Sequence, residues 1–168
     1  MICRYMLLRS VIISMTWLKD MFTNPFAITA LSSWLLAQLI KTTIFLIKHK
    51  KFNPERIFGD GGMPSGHSAT VASLATFSGL YRGFSSFEFA ISFVFMIIVC
   101  NDATGVRRET EKQARLLNGL VDAFKSLSKK KLPEIKLKEF VGHTPIQVYA
   151  GIGLGICNAL FMRFLVFG

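Results

Sequence analysis

Charge is scarce in this chain, and negative charge is scarcest. Of 168 residues only 18% are Asp, Glu, Lys or Arg, and ten acidic residues stand against twenty basic ones. A soluble domain of this length needs a surface closer to a quarter or a third charged. The 51% hydrophobic content and the mean hydropathy of +0.43 also rule out a disordered chain. What is left is a membrane protein of one domain. Cysteine is scarce too. Cys3, Cys100 and Cys157 are odd in number, show no metal-ligand spacing and each lie in an apolar stretch. That pattern excludes a disulfide framework and a zinc site, and it reads as three small buried hydrophobes. No internal repeat is present, and no Gly/Ser-rich linker divides the chain.

Four stretches are long and apolar enough to cross, or nearly cross, a bilayer, which takes roughly 20 residues of helix. They run from about Pro25 to Ile47, Pro64 to Tyr81, Phe87 to Asn101 and Pro145 to Phe167. The second is rich in Ala, Ser and Thr, and the fourth carries Gly151, Gly153 and Gly155. Small residues of this kind let membrane helices approach closely. The expected fold is therefore all-α: an integral membrane bundle of about four transmembrane helices. Residues 1–21 fit an interfacial helix, a signal-like leader or a short extra span, and Met21 is an alternative start. Residues 22–168 form the main domain. Between the third and fourth spans lies a polar insertion, about 104–142. Ala114, Leu117, Val121 and Phe124 at helical spacing predict an amphipathic helix up to about Leu127. Ser126 to Lys131, followed by Pro133, reads as an exposed basic turn or loop.

The net charge of +10 and pI of about 9.9 would suit nucleic acid or an anionic membrane. The placement of the charges decides. With four spans, the 1–2 and 3–4 connections share one side of the membrane. The first holds Lys48, Lys50, Lys51 and Arg56; the second holds Arg107, Arg108, Lys112, Arg115, Lys125, Lys129, Lys130, Lys131, Lys136 and Lys138. Those are 14 of the 20 basic residues, against five at the termini and the 2–3 turn. The positive-inside rule assigns that face to the cytoplasm. The excess charge is then topology, and no nucleic-acid partner is expected.

Three polar blocks stand at the ends of these spans. Gly59–Ser68, GDGGMPSGHS, opens the second. Proline suits a first helical turn, and the N–H groups of Ser65, Gly66 and His67 would form an anion site. His67 adds a titratable group beside it. The bland alternative is a Gly-rich turn capping a membrane helix. Asp102-Ala103-Thr104-Gly105-Val106-Arg107-Arg108 follows the third span. Its two arginines read either as lipid-headgroup anchors or as a phosphate clamp, and Asp102 at the end of an apolar run needs a partner. Gly142-His143-Thr144-Pro145-Ile146-Gln147 opens the fourth span and repeats a His next to a Pro-led helix. Lys41 lies inside the first span, with Lys48 seven residues on and on the same helical face. An intramembrane lysine points to function, with snorkelling as the alternative. By the four-span topology all four groups meet one face. Two His, two Arg and at least one Lys suit phosphoryl transfer.

The sequence Pro-Ser-Gly-His at 64–67 resembles the central motif of the type 2 phosphatidic acid phosphatase and vanadium-dependent haloperoxidase superfamily. The blocks GGMPSGHSA, DATGVRR and GHTPIQV, in this order, are similar to its small divergent membrane branch, over roughly Phe22 to the C-terminus. The resemblance implies a metal-independent phosphoric monoester hydrolase working through a phospho-histidine, with no cofactor and with vanadate only as a phosphate mimic. It implies His143 as nucleophile and His67 as general acid. Lys41, Lys48, Arg107, Arg108, Ser65 and Gly66 would hold the phosphate oxygens. The chain departs from the pattern at three points. Lys48 and His49 stand where the superfamily has Arg-Pro. Gln147, four beyond His143, stands where it has Asp. The Arg of the third motif is supplied by Arg107 or Arg108, about 35 residues upstream of His143. Gln147 would orient the His143 ring without adding charge, and Asp102 is a supporting candidate by its location. The expected partners are membrane lipids and a lipid or prenyl phosphate substrate. The alternatives are an inactive member that binds headgroups or serves as a scaffold, and a small transporter with Lys41 in a polar path.

Overall fold

The structure is a computed structural model describing residues 17, 19–50, 62–127, 137 and 144–168. Expectations about residues 1–16, the Gly59–Gly61 approach, the basic turn and His143 lie outside those residues.

All described elements are helices, and capping residues set their starts. Helix α1 spans Pro25–His49. Asn24 Oδ1 accepts the N–H groups of Phe26 (2.9 Å) and Ala27 (3.3 Å), and Pro25 fills the first position, where no N–H is needed. It ends at Lys50, which takes a left-handed conformation (φ 51°) and donates its N–H to the Leu46 carbonyl. Helix α2 spans Gly66–Arg82 behind Ser65, and α3 spans Phe87–Thr104 behind Ser86. Gly105 leaves helical geometry (φ −98°, ψ −93°), and α4, Val106–Leu127, follows it. Helix α5 spans Pro145–Phe161 and runs into a π-helical turn, Met162–Val166. These bounds match the expected spans and the amphipathic helix closely.

The helices alternate in direction. Thr29 of α1 lies at Ser73 of α2, whereas Lys41 lies at Gly62 and Gly66, so α1 and α2 are antiparallel. Phe89 packs at Gly79, and Cys100 reaches the Ser68 hydroxyl, so α3 is antiparallel to α2 as well. Helix α5 runs parallel to α2. Ser65 N–H donates to the Gln147 carbonyl at one end (3.0 Å), and Arg163 Nε donates to the Leu80 carbonyl at the other (3.4 Å).

Helices α1, α3 and α5 are each long and apolar enough to cross a membrane. Helix α2, the second of the four expected spans, falls short of that standard with 17 residues. Its place in the bundle is the physical reason. It packs against α1, α3 and α5, and ten of its residues are buried, mostly Ala, Ser and Gly. A helix screened from lipid by three neighbours needs small residues for close packing more than it needs bulk apolarity. Gly151 and Gly155 make the same case from α5. A Cβ on Gly155 would sit 2.9 Å from Ser73 N and 3.1 Å from Ala72 Cβ, and one on Gly151 would press on the Ser65 carbonyl. Gly153 faces open space.

Polar groups tie the centre together. Asn158 Nδ2 donates to the Thr29 carbonyl (3.2 Å) and to the hydroxyls of Ser32 (2.9 Å) and Ser33 (2.8 Å). Ser73 Oγ donates to the same Thr29 carbonyl at 3.2 Å. One asparagine of α5 thus joins α1 and, through Thr29, α2. The expectation of three buried cysteines needs correction: Cys100 is half-buried and Cys157 is exposed, because Cys157 lies on the outward face of α5 with Ile156 and Leu160.

In α4, Lys112 pairs with Glu109 and Arg115 with Glu111, each within one helical turn. Ala114 is buried and Val121 half-buried, but Leu117 and Phe124 stay exposed. Asn118 exchanges two hydrogen bonds of 3.0 Å with the backbone of Leu137. That side-chain clasp holds Leu137 against α4.

Candidate functional site

The alternation brings the end of α1, the start of α2, the end of α3 and the start of α5 to one end of the bundle. Helix α2 begins there behind Pro64 and Ser65, both buried. Ser65 Oγ accepts the Ser68 N–H (3.3 Å) and the Ser68 hydroxyl (3.0 Å), an N-cap doubled by a side chain. The Ser65 N–H goes to the Gln147 carbonyl. Ser65 is therefore fully buried and engaged in joining α2 to α5, so its N–H does not stand open to an anion as the sequence suggested. The next N–H groups at this helix start are those of Gly66 and His67.

Lys41 is the basic group brought to that turn. It is 8% exposed, deep for a lysine in an apolar helix. Its side chain runs past Gly62, where an added Cβ would meet its Cγ at 3.3 Å and its Cδ at 3.4 Å. Its ammonium ends beside Gly66, 3.9 Å from where a Cβ would stand. Glycine at both positions leaves the room the lysine occupies. The ammonium and the positive end of the α2 dipole thus point at one place, the physical setting for an anion.

The other expected residues divide. His67 is exposed at the same turn, and Asp102 is half-buried in the last turn of α3. Lys48 is exposed near the end of α1, and Arg108 is exposed in the first turn of α4. Arg107 belongs to α4, with its side chain outside the described residues, and His143 lies outside them altogether. Gln147 works at the start of α5. Its Oε1 accepts the Thr144 N–H at 3.0 Å and closes the first turn of α5. Capping an N-terminus and orienting a neighbouring ring call for the same amide, and here the cap holds the oxygen.

Two neighbours escaped the sequence reading. Trp34 lies seven residues before Lys41 on the same face, and its ring comes 3.4 Å from the Gly66 Cβ position. The heptad spacing from Lys41 was the available signal. Gln38 lies between them, 7% exposed, and its Oε1 has no hydrogen-bond partner among the described residues. A cavity of about 240 Å³ lies beside the turn between α3 and α5, walled by Cys100, Asn101, Thr104, Val148, Tyr149 and Ile152. Among the described residues, no three His, Cys, Asp or Glu side chains gather into a metal-binding group.

Comparison with known proteins agrees with the motifs. The profile of the Divergent PAP2 family matches residues 22–158. The chain is 37% identical over 156 residues to the uncharacterized membrane protein YuiD of Bacillus subtilis (strain 168), covering 86% of this chain and 98% of that one. No solved structure matches. The matched span takes in α1 with Lys41, the Pro-Ser-Gly-His turn, the α3–α4 junction and all but the last turn of α5, and on that footing the chain belongs to the Divergent PAP2 family.

Proposed function

We propose that the protein is a metal-independent phosphatase or phosphotransferase acting on a lipid or prenyl phosphate at the membrane surface. The observation that carries this reading is the Lys41 ammonium seated against the first turn of α2, where a buried cation meets the positive end of a helix dipole. Family membership supports it. The phosphate oxygens rest on Lys41 and the N–H groups of Gly66 and His67, with Lys48, Arg107 and Arg108 neutralising charge from the rim. A His143 ring nitrogen attacks phosphorus as the bond to the leaving oxygen breaks, and His67 gives that oxygen its proton. Water, or an acceptor alcohol, then takes the phosphoryl group from His143, and His67 recovers a proton. The chemistry runs on the face that the positive-inside rule assigns to the cytoplasm.

One observation favours a second reading, a headgroup-binding member with little or no turnover. Gln147 brings no carboxylate to His143, and its Oε1 is engaged at the α5 cap. Phosphate release from purified protein across a panel of lipid and prenyl phosphates separates the two. The enzyme reading expects turnover that vanadate blocks and that His143→Ala and His67→Ala each lower by about a hundredfold or more. Headgroup binding without turnover by the unaltered protein would overturn it.

A further inference from the structure

A second pocket lies at the opposite end of the bundle, about 24 Å along α2 from Gly66 at the helix rise of about 1.5 Å per residue. It is a cleft of about 450 Å³ between the start of α1, the end of α2 and the first turns of α3. Its wall changes character with depth. Asn24, Arg82 and Glu88 stand at the mouth, and Leu74, Ile91 and Phe95 line the inner part. Arg82 and Leu74 are eight residues apart on α2, so the charged mouth and the apolar interior are separated by about 12 Å. Ser92, also on the wall, donates its hydroxyl to the Glu88 and Phe89 carbonyls within its own helix, so it makes no demand on an occupant. Ile91 and Phe95 are exposed on the outward face of α3, so the cleft opens sideways to lipid. A polar mouth at the membrane surface over an apolar trough within it matches a chain with a headgroup, and a water-soluble ligand would leave the inner wall unmatched.

The mouth selects among headgroups. Arg82 Nε and Glu88 Oε1 lie 3.8 Å apart, an ion pair beyond hydrogen-bond distance, and both side chains are about half exposed. Such a pair is weakly held and open to exchange for better partners. The guanidinium also faces the Phe26 and Tyr81 rings, at 6.0 Å and 5.9 Å, which fix its position at the mouth. Asn24 Oδ1 is engaged at the α1 cap, which leaves its Nδ2 as a further donor. Guanidinium and amide donors suit a phosphodiester, and a carboxylate close by suits an ammonium that can donate hydrogen bonds. A choline headgroup has no N–H for Glu88, and a glycerol headgroup has no cation for it.

We propose that this cleft is a specific site for a zwitterionic phospholipid with a primary-amine headgroup, in the leaflet opposite the candidate phosphate site. One acyl chain lies in the trough, the phosphate binds Arg82 and Asn24, and the ammonium binds Glu88. The site is independent of the phosphatase reading.

Native mass spectrometry of the full chain in detergent tests it, with chain-matched phosphatidylethanolamine, phosphatidylcholine and phosphatidylglycerol as probes. The expected result is one site that takes the ethanolamine lipid at least about tenfold more tightly than the others. Ser78→Trp, which fills the trough, abolishes it. Glu88→Gln at the exposed start of α3 brings the three lipids within about twofold of one another. Circular dichroism melts establish that each variant is folded. Should Ser78→Trp not fold, Glu88→Gln decides. Equal binding of the three lipids by the unaltered protein, or an ethanolamine preference that survives Glu88→Gln, overturns the proposal.

Discussion

Two amides in the bundle have opposite fortunes, and single substitutions separate them. Asn158 Nδ2 finds three acceptors on α1 for its two hydrogens, while Gln38 Oε1 finds no partner among the described residues. A side-chain hydrogen bond within a membrane bundle contributes about 0.6 kcal/mol on average and up to about 1.7. Asn158→Leu therefore lowers stability by about 1–3 kcal/mol, through lost bonds and a bulkier side chain against Ser33. An unpartnered buried polar atom costs about 1–3 kcal/mol, so Gln38→Met, close in volume, leaves stability unchanged or raised. Unfolding in mixed micelles monitored by circular dichroism reads both. A clear loss of stability in Gln38→Met would show that Gln38 has a partner that the structure does not reveal. The pair also marks how far the sequence could be read. Lys41 was visible as a cation in an apolar run, whereas Trp34 and Gln38 gained meaning only when α2 arrived beside them. Gln147 was visible as a departure from a motif, but whether its amide caps α5 or turns a ring depends on the rotamer.

At the scale of the helix, starts were legible because they rest on local chemistry. Asn24-Pro25, Ser65, Ser86 and Thr144-Pro145 each stand immediately before an apolar run. The centrality of α2 was not legible in the same way. Its Ala, Ser and Gly content allowed close packing but did not say which partner would approach most closely. The glycines of α5 settle that, and they differ. Gly151 and Gly155, four apart, lie against Ser65–Ser73 of the parallel α2, while Gly153 between them faces outward. Gly155→Ala forces α2 and α5 apart against a backbone carbonyl and an amide that cannot yield. The expected loss is about 1–3 kcal/mol. Gly153→Ala costs nothing and gains a few tenths of a kcal/mol or more from helix propensity. The measurement is the same micelle unfolding. Because the α2–α5 contact also carries the Ser65–Gln147 hydrogen bond, Gly151→Ala should weaken phosphate binding as well as stability, and Gly153→Ala neither. Equal effects at 153 and 155 would refute the packing account.

For the whole molecule, two antiparallel contacts and one parallel contact imply that α2 crosses the bilayer although its own composition does not demand it. Helices α1 and α3 are apolar enough to span and both run against α2, whereas α5 spans alongside it. If α2 failed to cross, the Gly83–Ser86 turn and Met63, just before α2, would lie on the same side of the membrane. If it crosses, they lie on opposite sides, and the charge bias fixes which is which: the 1–2 connection and the 3–4 connection carry 14 of the 20 basic residues, whereas the turn has only Arg82 beside it. Two single-cysteine variants, with Cys3, Cys100 and Cys157 replaced by Ala, resolve the question. Exposed Met63 suits one and exposed Ser85 suits the other, because α2 lies between them. A thiol reagent that cannot cross membranes should label Ser85→Cys in intact cells and reach Met63→Cys only after permeabilisation. The reverse pattern would invert the protein and place the Lys41 turn outside. Labelling of both from one side would mean that α2 does not span. Either result bears on substrate supply, because the face that holds Lys41 and the Pro-Ser-Gly-His turn determines which leaflet can present a phosphate to it.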